Sequence, residues 1–288
     1  MTDLDVDHLR SWIGRQETLH DRVTRFPAAA LAALLDRDDP APDAGDPLPP
    51  LWHWLYFLQA ARQSNLGPDG HPARGGFLPP VPLPRRMFAG ARLTFHQPLR
   101  IDEEINRVST IQDVTVKHGR SGALCFVLVR HEVFGERGRA LVEEQDIVYR
   151  DAARPGEPPA APRQAPAGDA WRRDVVPTEP LLFRYSALTF NSHRIHYDRR
   201  YVTEVEGYPG LVVQGPLIAT LLTDLIRRNS DRGLASFRFR AVSPTFDTAA
   251  FSLRGAAEGS DGIALWAQDL DGNLAMEADA TWAAPSPS

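Results

Sequence analysis

The sequence predicts an α+β protein of two similar halves, each an antiparallel sheet wrapped around one strongly apolar helix. Three observations carry that prediction. Residues 217–226 read LIATLLTDLI, apolar enough for a helix buried on most of its circumference. Segments of alternating hydrophobicity follow, as half-buried strands require. The order helix, loop, apolar helix, strands also occurs twice, and residues 93–99 (LTFHQPL) parallel residues 239–245 (FRAVSPT), with a proline interrupting the strand at the same place.

Residues 4–13 and 27–35 suit two helices, with His20, Asp21 and Arg22 between them as a solvated turn. Residues 38–50, rich in Pro, Asp and Gly, read as a loop. Pro49 and Pro50 then open residues 51–61 (LWHWLYFLQAA), the expected central helix of the first half. Residues 64–84 are Gly/Pro-rich, and a loop of that length inside a compact domain tends to be functional or mobile. Strands are expected at 92–95, 104–118, 124–134 and 140–150, which closes an N-terminal half over residues 1–150. Residues 151–177 are too rich in Pro and Ala for a strand or a regular buried helix and read as a linker. The C-terminal half, residues 178–288, is expected to hold helices at 181–188 and 217–227 and strands at 236–241, 249–256, 262–269 and 274–282. A sheet curled around one helix is called a hot dog, so the whole chain predicts a double hot-dog fold.

Bulk properties narrow the function. The chain has 288 residues, 43% of them hydrophobic, and a net charge of −5, which gives no basic footprint for nucleic acid. Its single cysteine, Cys125, permits no internal disulfide and fits a reducing compartment. The first residues, MTDLDVDHLRSW, are acidic and lack the apolar run of a secretory signal. No segment approaches the roughly 18 apolar residues of a membrane helix. A cytoplasmic protein with no nucleic-acid or membrane partner is the expectation.

The chemistry concentrates in residues 183–198, FRYSALTFNSHRIHYD. His196 can exchange a proton near neutrality. Asn191 cannot, but its amide can orient a water. Gly215 and Pro216 open the long apolar helix, whose first N–H groups face a developing negative charge favourably; Pro216 has no N–H, so Gly215 is the candidate donor to a thioester oxygen. His193 and His196 are spaced for a metal site, yet no acidic or Cys set visible in the sequence completes one, so no metal is expected. Arg194 and Tyr197 fit packing as readily as substrate contact. Arg85 and Arg86, after the long loop, suit the phosphates of a CoA or carrier-protein arm, or an ordinary surface pair. Phe77, Trp52, Trp54 and Phe57 are candidates for the walls of an acyl pocket or for plain core.

Residues 190–198 and Gly215-Pro216-Leu217 resemble the catalytic segment of MaoC-like (FAS1-like) hydratases and dehydratases, and the resemblance extends over nearly the whole chain. It is closest to the group acting on mesaconyl-C4-CoA (3-methylfumaryl-CoA) and on mitochondrial 3-hydroxyacyl thioesters. The broader pattern is Asp-x-Asn-Pro-(aliphatic)-His. This chain places Asn191 at the Asp position, His193 at Asn and Arg194 at Pro, and keeps His196. The loop expected to match it in the first half, residues 35–40, has no histidine, which implies one site per chain on the C-terminal half. The resemblance implies a cofactor-independent hydro-lyase acting on an acyl-CoA thioester, with citramalyl-CoA as the expected hydration product. Dehydration of 3-hydroxyacyl-CoA or acyl-carrier-protein thioesters is the alternative. A hot-dog thioesterase and a non-catalytic acyl-CoA-binding module also stay open, as does a homodimer beside a monomer.

Overall fold

The computed structural model describes residues 4–119, 122–151 and 161–284. Residues 152–160 of the expected linker lie outside the described residues.

One ten-stranded antiparallel sheet runs through the protein. Its first-half strands are β1 (Gln16–Arg22), β2 (Arg85–Phe95), β3 (Glu104–Gly119), β4 (Gly122–Gly135) and β5 (Gly138–Arg150). The second half contributes β6 (Trp171–Val175), β7 (Leu234–Ala241), β8 (Phe251–Glu258), β9 (Gly262–Gln268) and β10 (Leu274–Trp282). The spatial order is β1-β3-β4-β5-β2-β7-β10-β9-β8-β6, which reads the same from either end once β1–β5 are matched to β6–β10. This internal two-fold passes beside the pair Arg92↔Arg238, where β2 meets β7. Two like charges face each other there, and each is compensated within its own half, Arg92 by Glu144 and Asp146 and Arg238 by Asp279.

Among the described residues four α-helices accompany the sheet: α1 (Val6–Arg10), α2 (Arg25–Leu34), α3 (Glu179–Leu188) and α4 (Gly215–Asn229). Helix α4 buries every residue from Leu217 to Ile226, as its apolar run predicts. It is a central hot-dog helix, packed against the curved inner faces of β8, β9 and β10. Its one buried acid, Asp224, is ringed by Arg37 at 2.9 Å, Arg173 at 2.7 Å and Arg228 at 2.7 Å. Those three come from the first half, from β6 and from the helix itself, so one charge cluster ties the sheet edge and both halves to α4.

The sequence reading needs correction at four places. Residues 51–61 do not form a helix. A single 3-10 turn, Trp52–Leu55, is bounded by Leu51 and Phe57 in the left-handed region (φ 68° and 59°). Polar anchors on consecutive aromatics overrule helical propensity here: His53 and Trp54 bond Glu143, the Tyr56 hydroxyl donates to Thr24 O, and Phe57 N donates to Asp21 Oδ2 at 2.6 Å. The expected linker contains a strand, β6, which pairs with β8 along Trp171–Val175. His20, Asp21 and Arg22, expected in a turn, end β1, which pairs with β3. The helix expected over residues 4–13 stops at Arg10, with Asp5 capping the N–H of His8.

With its central helix cut to one turn, the first-half sheet is covered by chain from the long loop. Val81 and Leu83 pack with Leu4, Leu9, Ile111, Val127 and Tyr149 in a second, smaller core. A cavity of about 280 Å³ remains between this loop and the sheet.

Candidate active site

Helix α3 aims the His-bearing loop. Thr178 caps its start by accepting from Leu181 N, and the helix stops where Phe190 adopts φ 48° and Asn191 N returns to Ser186 O at 2.8 Å. Asn191 then folds back on its own backbone: its Oδ1 accepts the His193 N–H at 3.1 Å, so the free end of the amide is the Nδ2 donor.

His196 lies on the next turn, 8% exposed. Its Nδ1 is 2.7 Å from Val212 O. A carbonyl only accepts, so Nδ1 carries the proton and Nε2 presents a lone pair. Burial pushes the imidazole down to about 4, against the bond to Val212, and nearby His71 depresses it further. His196 is therefore a neutral acceptor at neutral pH. The Val212 carbonyl stands three residues before Gly215, and Val212 N donates in turn to Ile195 O at 3.0 Å, so the histidine turn and the start of α4 are locked side by side. The Gly215 N–H belongs to the first helical turn and has no intrahelical acceptor. A Cβ on Gly215 would meet only Phe88 O within 4 Å, at 3.9 Å, so that side of the helix start is uncrowded.

His193 stands edge-on to His196 (ring centroids 5.4 Å apart) and against His71 (4.0 Å). Burial, followed by those two neighbours, lowers it to about 2. His71 comes from the long Gly/Pro-rich loop of the first half, and the sequence reading missed it. The hint was Asp69-Gly70-His71-Pro72 inside a loop already marked by its length. Asp69 takes two bonds from His71, from the backbone N at 3.0 Å and from Nδ1 at 3.1 Å. Burial raises the Asp69 carboxyl, but these bonds outweigh it and hold the group well below the usual carboxylate range.

The loop is docked closely. Ser192 Oγ donates to Gly70 O at 2.6 Å, Arg194 N to Asp69 O at 2.9 Å and Arg194 Nη1 to Pro68 O at 2.9 Å. Gly70 has φ +86°, and a Cβ there would overlap the Ser192 carbonyl.

The other expected contacts divide into committed and available groups. Arg194 spends Nε and Nη2 on Asp198 and lies 4.1 Å over the Tyr201 ring, so it is a strut of the loop. Tyr197 is 45% exposed and its hydroxyl donates to Ser192 O. Arg85 is taken up by Glu206 and Tyr208. Arg86, by contrast, makes no ion pair among the described residues; it lines the cavity with Tyr149 and Phe77 and lowers the basicity of His71 and His193. Trp52 and Trp54 are spent on Arg227 and Glu143, and Phe57 lies under Arg107. The floor of the cavity is polar, with Arg107, Ser109, His131 and Gln145, and behind it the buried Glu143 bonds His53. The sequence offered no acid to complete a metal set, yet Asp69, His71 and His193 bring their ligand atoms within 4.8 Å of one another. The Asp69 carboxylate is already spent on His71.

Fold and site together define a double hot-dog protein of the MaoC-like dehydratase class. A family model described as hydroxyacyl-thioester dehydratase type 2 matches residues 51–247, and the chain belongs to that family. It is 52% identical over 268 residues, 93% of this chain and 95% of the relative, to mesaconyl-C(4)-CoA hydratase of Chloroflexus aurantiacus. Among solved structures, a MaoC-like dehydratase from Phytophthora capsici shares the fold with a TM-score of 0.70 at 13% identity, covering 98% of this chain and 100% of that one. A Mycobacterium tuberculosis protein described as having a double hotdog fold superposes with a TM-score of 0.59 at 12% identity, over 94% and 96% of the two chains. No described helix is long and apolar enough to cross a membrane.

Proposed function

We propose that this chain is a hydro-lyase that reversibly adds water to mesaconyl-C4-CoA (3-methylfumaryl-CoA), giving citramalyl-CoA. The observation that carries the reading is the buried His196, lowered by burial so that it is neutral at neutral pH, whose Nδ1–H is held by the Val212 carbonyl so that Nε2 is left as the basic atom. Nε2 takes one proton from a water while the water oxygen bonds to the β-carbon of the enoyl thioester. The α-carbon then collects that proton from His196, and the net change is one water added with no redox step. Asn191 Nδ2 donates to the water oxygen and fixes the direction of attack. Charge that builds on the thioester oxygen is met by Gly215 N–H at the positive end of α4.

In the first half, residues 1–150, the cavity under the long loop is not lined by His196, Asn191 or Gly215, so on this reading it takes an outer part of the acyl and pantetheine arm, with Phe77 and Arg86 on its wall. The segment over residues 151–177 joins it to the catalytic half, residues 178–288. The same groups run backwards as a dehydratase of 3-hydroxyacyl thioesters on CoA or acyl carrier protein, the activity in the family description. A homodimer is compatible with this arrangement, which needs no residue from a partner.

The test is loss of the enoyl-thioester absorbance with mesaconyl-C4-CoA, crotonyl-CoA and a longer enoyl-CoA, with free thiol followed in parallel. Fast loss with mesaconyl-C4-CoA and no thiol release is expected, falling by at least about 100-fold in H196A. Thiol release, or an H196A rate equal to that of the unmodified protein, overturns the reading.

A further inference from the structure

Asn191 stands where the resemblance has a carboxylate, and its side-chain oxygen already holds His193 N. A water attacking the β-carbon has two O–H bonds. His196 accepts one of them; the other needs an acceptor in the same buried site, because an unpaired O–H there loses the hydrogen bond it had in water.

The fold delivers such an acceptor from the opposite half. Three hydrogen bonds fasten the loop carrying Asp69 and His71 onto residues 192 and 194. The His71 ring rests on His193, which is the next ring to His196. Because a carboxylate only accepts, the bond to Asp69 Oδ2 keeps the proton on His71 Nδ1 and leaves Nε2 with a lone pair. His71 and His196 thus have the same tautomer, one fixed by a carboxylate and the other by a backbone carbonyl.

We propose that the Asp69–His71 pair is a catalytic element of this site, with His71 Nε2 accepting the second O–H of the water whose first proton goes to His196. The proton balance is that of the hydration already described: His196 carries one proton from water to the α-carbon, and the proton bonded to His71 stays on the product hydroxyl. In the dehydration direction His71 holds the departing hydroxyl by the same bond. The active site is then composite, with its base on the C-terminal half and its second water acceptor on the N-terminal half.

The inference rests on the hydration reading, so wild-type turnover of mesaconyl-C4-CoA is measured first; no turnover overturns that reading and this inference with it. With turnover established, H71F and H71A are compared for kcat and for the Kd of succinyl-CoA, a saturated dicarboxylic thioester that cannot be hydrated. Phenylalanine keeps a ring against His193 but has no lone pair. The expected result is a loss of roughly 100-fold in kcat for both variants, with succinyl-CoA bound within about threefold of wild type. D69N, which no longer fixes the tautomer, is expected to lose roughly tenfold. Thermal unfolding of each variant verifies that the loop substitutions leave the protein folded. An H71F enzyme turning over within threefold of wild type would mean that His71 only packs, and the proposal fails. A D69N enzyme at full rate equally removes the pair.

Discussion

Replacing Gly70 by alanine tests whether docking of the 67–73 loop sets the geometry of the site. The new methyl group would overlap Ser192 O, would lie 2.9 Å from Ser192 C, and would meet the Arg194 side chain at 3.4 Å. Since Ser192 and Arg194 belong to the turn that carries His196, relief requires loop and turn to part by on the order of 1 Å, a displacement that can cost about 100-fold in rate. The backbone adds its own penalty, because φ of +86° in a non-glycine residue costs about 1–2 kcal/mol. The bonds from Ser192 Oγ, Arg194 N and Arg194 Nη1 are lost or stretched in the same movement, at about 1 kcal/mol net for each. Most of that loss is local, since no residue of the 67–73 loop belongs to either apolar core. G70A should therefore lose about two orders of magnitude in kcat/KM for the enoyl-CoA while its global unfolding transition stays cooperative and falls by only a few degrees. Steady-state kinetics beside differential scanning calorimetry reads both. An enzyme within threefold of wild type in kcat/KM would refute the coupling of this loop to the catalytic turn.

Two further outcomes follow from buried charge. His196 and His131 are both lowered to about 4, chiefly by burial, so His196, the proposed base, stays unprotonated through the neutral range and kcat/KM should fall only as pH drops toward about 4. In the unfolded chain these groups titrate near 6.5, so between roughly pH 6.5 and 4 the unfolded state binds more protons and stability declines with falling pH; urea unfolding at pH 7 and pH 5 reads the slope, and equal stability at both would contradict it. Asp224, with a fully buried side chain between three guanidinium groups, is the second case. D224N leaves those cations converging on a neutral amide and should cost about 3–5 kcal/mol in urea unfolding; a loss under about 1 kcal/mol would show that water or Asp39 compensates.

Where the sequence was legible, burial was the reason. Helix α4 is visible because ten consecutive buried residues leave an apolar run interrupted by Thr220, Thr223 and Asp224 alone, and β4 because its inward residues alternate from Ala123 to Val133. Strands β1 and β6 escaped notice because they are edge strands: QETLHDR buries nothing fully and WRRDV buries only Val175, so neither carries a hydrophobic period. Residues 51–61 misled because their apolar content is genuine, while their shape is set by Glu143, Thr24 and Asp21, far away in the chain. For the site, His196, His193, Asn191 and Gly215 are close in sequence and could be read together. His71 could not, since 122 residues separate Gly70 from its partner Ser192 and only the folded sheet brings the two loops into contact.

The internal two-fold through β2 and β7 has a consequence for counting. A symmetric pair of hot dogs would offer two equivalent catalytic stations, one around each helix. In this chain the first half has one 3-10 turn where the second has α4, and its 67–73 loop is docked on the His196 turn of the other half, so the proposed reading leaves one station. Acyl-CoA titration should therefore saturate at one equivalent per polypeptide. With the tasks divided as proposed, the sequences of the two halves are free to diverge except where they touch: along the seam where Arg92 faces Arg238, at Arg37 with Asp224, and where the 67–73 loop meets Ser192 and Arg194.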